Sequence, residues 1–337
     1  MNKVFFGDCR DTMRDLIAQG VKVQMCVTSP PYFGLRDYGH AGQLGLEATP
    51  AEFVAAMVEV FALVRELLAD DGVLWLNLGD SYSNGGRKTR DPGQSKLHPA
   101  FTGEDNAVTT WRPDDGARPK NLLGIPWRVA LALQDDGWNL RQDIIWHKPN
   151  PMPESVTDRC TKAHEYLFLL SKSERYYFDA RAIAQPIAES SKERLAQPNL
   201  PNQAGSDRVP GKTNGNMKAV GPRFGGNKYG DDDREESRTK SGNEYTGGDG
   251  LANRRSVWTV PTVPYSGAHF ATFPPALIEP CILAGSRSGD TVLDCFFGSG
   301  TTGEVAGNLG RNWIGCELNP DYAPLQQART AQRGLAL

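Results

Sequence analysis

The sequence predicts an α/β fold, and three observations predict it. Residues 291–303 read TVLDCFFGSGTTG: a short apolar strand from Thr291 to Asp294, a sharp turn through Gly298 and Gly300, and a helix running to about Leu309. A second strand, Asn312 to Glu317, ends in another acid about twenty residues after Asp294. Upstream, strand-like and helix-like apolar runs alternate through the N-terminal part of the chain. A strand, a glycine-rich turn and the positive end of a helix in succession can cradle a nucleotide. The G-x-G-x-x-G spacing of Gly298, Gly300 and Gly303 is weak evidence alone. The strand-tip acids sharpen it, because Glu317 is placed to accept hydrogen bonds from both hydroxyls of a ribose. After Glu317 only one helix-sized stretch remains, so the neighbouring strands come from the N-terminal part. NAD-binding domains open with their glycine turn; a turn placed last points to a different nucleoside cofactor on a permuted sheet.

In order, Lys3 to Phe6 reads as a brief strand, Gly7-Asp8-Cys9 as a turn, and Arg10 to Ala18 as a helix with Met13, Leu16 and Ile17 on its apolar face. Val21 to Val27 is a buried strand that runs into Thr28-Ser29-Pro30-Pro31-Tyr32-Phe33. Two consecutive prolines continue neither a ladder nor a helix, so this is a rigid loop at a strand's C-terminal end, where open α/β sheets bind ligands. Pro50 to Asp70 has the spacing of an amphipathic helix closed by Asp71-Gly72, and Val73 to Leu78 is the next strand. Residues 84–120 are polar, without apolar periodicity, and read as a mobile or binding loop. A helix from Ile125 to Leu133, strands from Leu140 to Trp146 and Glu165 to Ser171, and a last strand at Tyr176-Tyr177-Phe178 complete the N-terminal block. Residues 181–256 are poor in aliphatics and strewn with Lys and Arg, the composition of an insertion that contacts phosphates and orders on its partner. Order returns at Ser256-Val257-Trp258, and a helix from Pro275 to Ala284 leads to the glycine turn.

A chain of 337 residues exceeds one usual core, so one sizeable domain with an insertion is expected. Hydrophobic residues at 39% and charged ones at 23% fit a globular soluble protein. A net charge of −3 excludes bulk-charge binding of polyanions, which confines any nucleic-acid surface to a local patch. The six cysteines are scattered without a C-x-x-C pair, as in a reduced, cytoplasmic protein. The N-terminus lacks the apolar core of a signal peptide, and no run is long enough to span a bilayer.

TSPPY at 28–32 together with LDCFFGSGTT at 293–302 resembles the S-adenosylmethionine-dependent DNA amino-methyltransferases that modify cytosine N4 or adenine N6. The motif order is that of their permuted β group: catalytic loop, target recognition, cofactor loop. The strand from Val73 to Leu78, IIWHKPNPMPES at 144–155 and HFATFP at 269–274 extend the resemblance. It implies a Rossmann-like, twisted, mostly parallel seven-stranded sheet, circularly permuted, with an inserted target-recognition region. Residues 1–180 and 257–337 would form the catalytic domain, the latter its cofactor-binding part, around an insertion at 181–256. Cys295 stands where the family usually has proline, a change in turn stiffness rather than chemistry. By resemblance, Phe296, Gly298, Gly300 and Thr301 hold the methionine part of S-adenosyl-L-methionine and Asp294 stands near its ammonium. Glu317 takes the ribose, Asp8 and Cys9 lie near the adenine, and His269, Phe270 and Thr272 form a second cofactor-contacting motif. The implied partner is double-stranded DNA. The implied source is a bacterium or phage, and the chain is read as monomer or homodimer, with or without a cognate restriction endonuclease; no metal is required.

The chemistry follows from the residue types. An exocyclic amine is a poor nucleophile because its lone pair is delocalised into the ring. Two acceptors taking its N–H bonds pull the nitrogen toward a tetrahedral shape, and the Ser29 hydroxyl and Pro30 carbonyl suit that task. Pro30 and Pro31 stiffen the loop, so catalysis is positional. Tyr32, with Phe33 beside it, offers a face for a base flipped out of the duplex. Serine at position 29 favours cytosine N4 over adenine N6 by family habit. A C5-cytosine mechanism would need the cysteine of Pro280-Cys281, which lies in an apolar helical pattern. Protein glutamine N5-methyltransferases share a Pro-Pro-Tyr loop but place it after the cofactor loop. A binding protein with a dead fold would be expected to have lost Ser29 or the glycines, and the terminal glycine turn disfavours a dehydrogenase.

Overall fold

A computed structural model describes residues 2–35, 37, 39–40, 42–83, 118, 120–188, 193, 251–262 and 273–331. The chain divides into two compact units, Met1–Ala182 with Arg255–Leu337, and Ile183–Arg254. The described residues of the smaller unit include one short antiparallel pair, β6 (Gln185–Pro186) with β7 (Leu251–Ala252).

The larger unit is built on one sheet whose strands run in the order β1 (Asn2–Phe6), β10 (Asn312–Glu317), β9 (Thr291–Asp294), β2 (Val23–Thr28), β3 (Leu68–Leu78), β5 (His164–Ser171), β4 (Asn139–His147) and β8 (Val257–Thr259). Every neighbouring pair is parallel except those made by β5, which runs antiparallel to both β3 and β4. The sheet is thus mostly parallel, as expected, but among the described residues it has eight strands rather than seven. The addition is β8, which pairs with β4 and is held by the Trp146 indole N–H, donated to the Val260 carbonyl at 2.8 Å.

Side-chain alternation along the central strands sorts the helices into two layers. Cys26, Leu74 and Leu76 face one side and join a single core with α1 (Cys9–Ala18), α2 (Pro50–Leu67) and α3 (Ile125–Asp135). Met25, Val73 and Trp75 face the other and meet α4 (Pro275–Gly285) so closely that a Cβ on Gly285 would lie 3.0 Å from both Trp75 and Val73. On that second side α5 (Thr301–Asn308) packs on β9 and β10, and α6 (Ala323–Thr330) packs on α5. Local signals set the helix starts. Asp8 accepts the Arg10 N–H at the head of α1, and Thr49 and Glu52 form a reciprocal capping box with Pro50 in the first turn of α2. Glu59 on α2 accepts from Arg10 and Arg14, which fixes α1 beside it. Among the described residues no helix is long and apolar enough to cross a membrane.

Two local expectations are corrected. The helix predicted to run to Asp70 stops at Leu67, and the chain passes directly into β3. The carbonyls of the strand's irregular start are taken up by the segment after β5: Lys172 Nζ donates to Leu68 O, Ser173 Oγ to Asp70 O and the Tyr177 N–H to Asp71 O. Tyr176-Tyr177-Phe178 is therefore a strap across the start of β3 and not a strand. Its aromatic content, which predicts a strand, serves instead to stack Phe178 on Trp75 and Tyr177 under the Arg287 guanidinium.

Parallel pairing fixes where the loops lie. Met25 and Cys26 stand opposite Val292 and Leu293, Gly315 opposite Asp294, and Phe6 opposite Glu317. The segments after β1, β10, β9 and β2 consequently leave the sheet at the same rim.

Candidate active site

At that rim the serine-diproline corner and the glycine turn meet. Thr28, the last residue of β2, is buried and donates its hydroxyl to Asp294 Oδ1 at 2.6 Å, across 266 residues of sequence. Asp294 Oδ2 accepts the Thr302 hydroxyl at 2.6 Å from the first turn of α5, and Oδ1 also accepts the Phe296 N–H at 3.0 Å. Asp294, only 1% exposed, is thus the strut that ties β2, β9 and α5 together. Burial lifts its carboxyl to about 6, against the three hydrogen bonds, which favour the charged form.

The turn itself is held from both sides. Gly298 donates its N–H to Glu317 Oε2 at 2.7 Å and gives its carbonyl to the Gln326 amide at 2.7 Å. Gly300, at φ +89°, caps α5, and a Cβ there would sit 3.3 Å from the Phe297 ring and 3.4 Å from the Gln326 backbone. Phe297 packs beneath the turn, stacked on Trp313 with centroids 5.2 Å apart, and lies flat over Gly315, where a Cβ would be 2.4 Å from it. Phe296, next to it in sequence, goes the other way, into the cleft.

That cleft, about 1000 Å³ with the solvent it opens to, is lined by Ser29, Pro30, Pro31 and Tyr32 of the corner and by Cys295, Phe296 and Gly298 of the turn. Asp8, Cys9 and Glu317 line it as well. Glu317 Oε1 accepts the Asn319 N–H at 2.8 Å, and burial raises the carboxyl above the usual range while the backbone donors of Asn319 and Gly298 pull it down. Arg10 hydrogen-bonds the Asp8 carboxylate and holds it below its usual range, and burial pushes the Cys9 thiol up, so that cysteine stays protonated. The Tyr32 ring covers Gly79 at the end of β3, where a Cβ would fall 2.5 Å from the ring edge.

Of the residues singled out in the sequence, all four of the corner plus Asp8, Cys9, Phe296, Gly298 and Glu317 line this one cleft. Gly300, Thr301 and Asp294 do not line it; they build the turn behind it. Asp294, expected near a ligand's ammonium, has both its oxygens hydrogen-bonded within the protein. His269, Phe270 and Thr272 lie outside the described residues, as do most of 84–120 and 181–256. Sequence reasoning missed two parts of the wall: Leu35, His40, Gly42, Gln43 and Leu44 after the corner, and Leu318, Asn319 and Tyr322 after β10. Gly39, Gly42 and Gly45, all at positive φ, were the available sign that the first of these is a shaped loop.

The family N6_N4_Mtase, described as DNA methylase, matches residues 23–328. The type II methyltransferase M.XycI of Xanthomonas campestris pv. cyanopsidis is 43% identical, over 97% of this chain and 86% of that protein. M.SmaI of Serratia marcescens, also a type II methyltransferase, is 40% identical over 98% of this chain and 91% of its own length. Among solved structures, PvuII DNA methyltransferase (cytosine-N4-specific) aligns with 99% of this chain and 88% of that one at a TM-score of 0.58 and 16% identity. A putative DNA modification methylase of Thermus thermophilus, TTHA0409, solved in complex with S-adenosyl-L-methionine, aligns with 100% and 98% at a TM-score of 0.54 and 19% identity. At such identities these two structures speak for the fold.

Proposed function

Given that the chain belongs to the N6/N4 DNA methylase family, we propose that it is a site-specific type II enzyme. It moves the methyl group of S-adenosylmethionine to the exocyclic amine of a flipped base, cytosine N4. The observation that carries this assignment is the Thr28–Asp294 hydrogen bond, which joins the ends of β2 and β9 and gives the acceptor corner and the glycine turn a common cleft.

The residues of the cleft fit the donor molecule. Glu317 presents a partly buried carboxylate for ribose hydroxyls, Gly7 and Gly298 leave room along the backbone, and Phe296 and Leu318 supply apolar walls. When bound, S-adenosylmethionine supplies a methyl group already activated by its sulfonium. The remaining work is positional. Among the described residues the Ser29 hydroxyl has no hydrogen-bond partner, which leaves it free to accept one N–H of the amine while the Pro30 carbonyl accepts the other. The two prolines hold these acceptors in a fixed relation, and Tyr32 gives the extruded base a stacking face. Serine at position 29, the commoner residue there among the family's N4 enzymes, supports cytosine N4 over adenine N6. Residues 181–256 contact the target sequence and 1–180 with 257–337 form the catalytic domain; a cognate endonuclease cutting the same site fits the type II relatives.

The test is direct. DNA methylated by the protein, digested to nucleosides and resolved by mass spectrometry, should yield N4-methylcytosine; N6-methyladenine would overturn the base assignment alone. Ser29→Ala should keep S-adenosylmethionine affinity and lose methyl transfer by about 100-fold or more, as expected when one of two positioning acceptors is removed. A fully active variant would overturn the acceptor role.

A further inference from the structure

We infer that Glu165, on β5, is a positioning residue that sets the plane of the Tyr32 ring and with it the stacking face offered to the base; this rests on the role of Tyr32 proposed above. Pro30 and Pro31 fix the backbone that delivers Tyr32, but no backbone constraint fixes its ring. Three contacts do. Beneath the ring is Gly79, so close that any side chain there would enter it. At its tip the phenol donates to Glu165 Oε2 at 2.7 Å. Asn77, the third contact, stands beside both: its Oδ1 is 3.3 Å from the phenol oxygen, and its Nδ2 donates to the same Glu165 oxygen at 3.3 Å and to the Tyr166 carbonyl at 3.0 Å.

Glu165 is in turn held by Lys148, which pairs with its other oxygen and lies 4.3 Å from the centroid of the Trp146 ring. The two partners are only 14% and 18% exposed. An ion pair so withdrawn from water contributes little net stability, because desolvation offsets the attraction. A carboxylate in that state is, however, a strong and directional acceptor. It stands at the rim of the sheet, 133 residues from Tyr32 in sequence, and its Oε2 accepts the phenol of a residue that lines the cleft. Gly79 and Glu165 thus hold the ring from below and from its end.

The experiment is a kinetic double-mutant cycle on the full-length protein with plasmid DNA and radiolabelled S-adenosylmethionine. The variants are Glu165→Gln, Tyr32→Phe and the pair, with cofactor affinity measured by calorimetry. Glu165→Gln keeps the shape, and should lower kcat by about tenfold, the loss of one charge-assisted hydrogen bond, with cofactor affinity unchanged. In the Tyr32→Phe background, where the phenol is already gone, the same substitution should have little further effect. An equal drop in both backgrounds, a full-speed Tyr32→Phe enzyme beside a slow Glu165→Gln, or a parallel loss of cofactor affinity would each overturn the inference. Gly79→Ala supplies an independent arm: it displaces the ring without altering charge and should reproduce the kcat loss. Normal turnover in that variant would likewise count against it. An active Ser29→Ala enzyme would instead overturn the underlying reading, whatever the cycle shows.

Discussion

The strut at Asp294 makes a quantitative prediction. An unfolded aspartate titrates near 3.8 and Asp294 at about 6, because a fully buried carboxylate loses more in leaving water than three hydrogen bonds return. Between those values the folded chain holds a proton that the unfolded chain has already released. The contribution of this group to stability is therefore greatest below pH 4, falls as pH rises toward 6, and is constant above. At ~1.4 kcal/mol for each tenfold difference in proton affinity, the penalty at pH 8 is about 3 kcal/mol. Asp294→Asn keeps an oxygen for Thr28 and the Phe296 N–H, presents an amide to the Thr302 hydroxyl, and removes the charge. Relative to the native protein, the variant should gain about 2–3 kcal/mol between pH 4.5 and pH 7.5. Urea unfolding followed by tryptophan fluorescence at several pH values measures that difference directly, because all other titrating groups cancel between the two proteins. A stability difference that stays constant across the range would refute the idea of a buried, ionising strut.

The remaining predictions concern the cofactor wall and the insertion. Gly300→Val forces a branched side chain into φ +89° against Phe297 and Gln326; S-adenosylmethionine affinity measured by calorimetry should drop beyond detection, and a normal value would show that the turn is misassigned. Glu317→Gln sets an amide N–H against the N–H of Gly298 or Asn319 and should weaken cofactor binding by about tenfold. In the native protein, burial raises the Glu317 carboxyl, so affinity should improve as pH rises through its elevated pKa, and the Gln variant should lack that dependence. Excision of residues 190–250 should abolish preference for one site, read by sequencing the modified positions; an unchanged site would move recognition to another segment, most directly 84–120.

What could be read from the sequence was what is local in it. Ser29-Pro30-Pro31 and Phe296 to Gly300 declare themselves because backbone stiffness and left-handed turns are written in consecutive residues. Their convergence follows from both loops leaving the C-terminal ends of parallel strands. Asp294 is legible as a strand-tip acid, but the hydrogen bond its carboxylate accepts comes from Thr28, 266 residues away. Glu165 gave no sign in the sequence for the same reason: its approach to Tyr32 requires β5 to insert antiparallel between β3 and β4, a pairing that no local pattern encodes. Tyr176 to Phe178 shows the reverse error, where aromatic residues suited to a strand instead lie across one. The wall residues Leu35, His40, Gly42, Gln43 and Leu44 come from a stretch of sequence with neither period nor motif, and only its glycines hint at shape.

The edge pair of β1 and β10 carries a consequence of its own. Strands from remote parts of the polypeptide lie side by side there, with Asn2 opposite Trp313 and Phe6 opposite Glu317. A gene rearranged so that these segments become neighbours in translation, and opened instead within the smaller unit, would spell the motifs in the reverse sequence. The same rim would nonetheless assemble. Chain order here is a matter of bookkeeping in the genome, and the sheet has no means of remembering it.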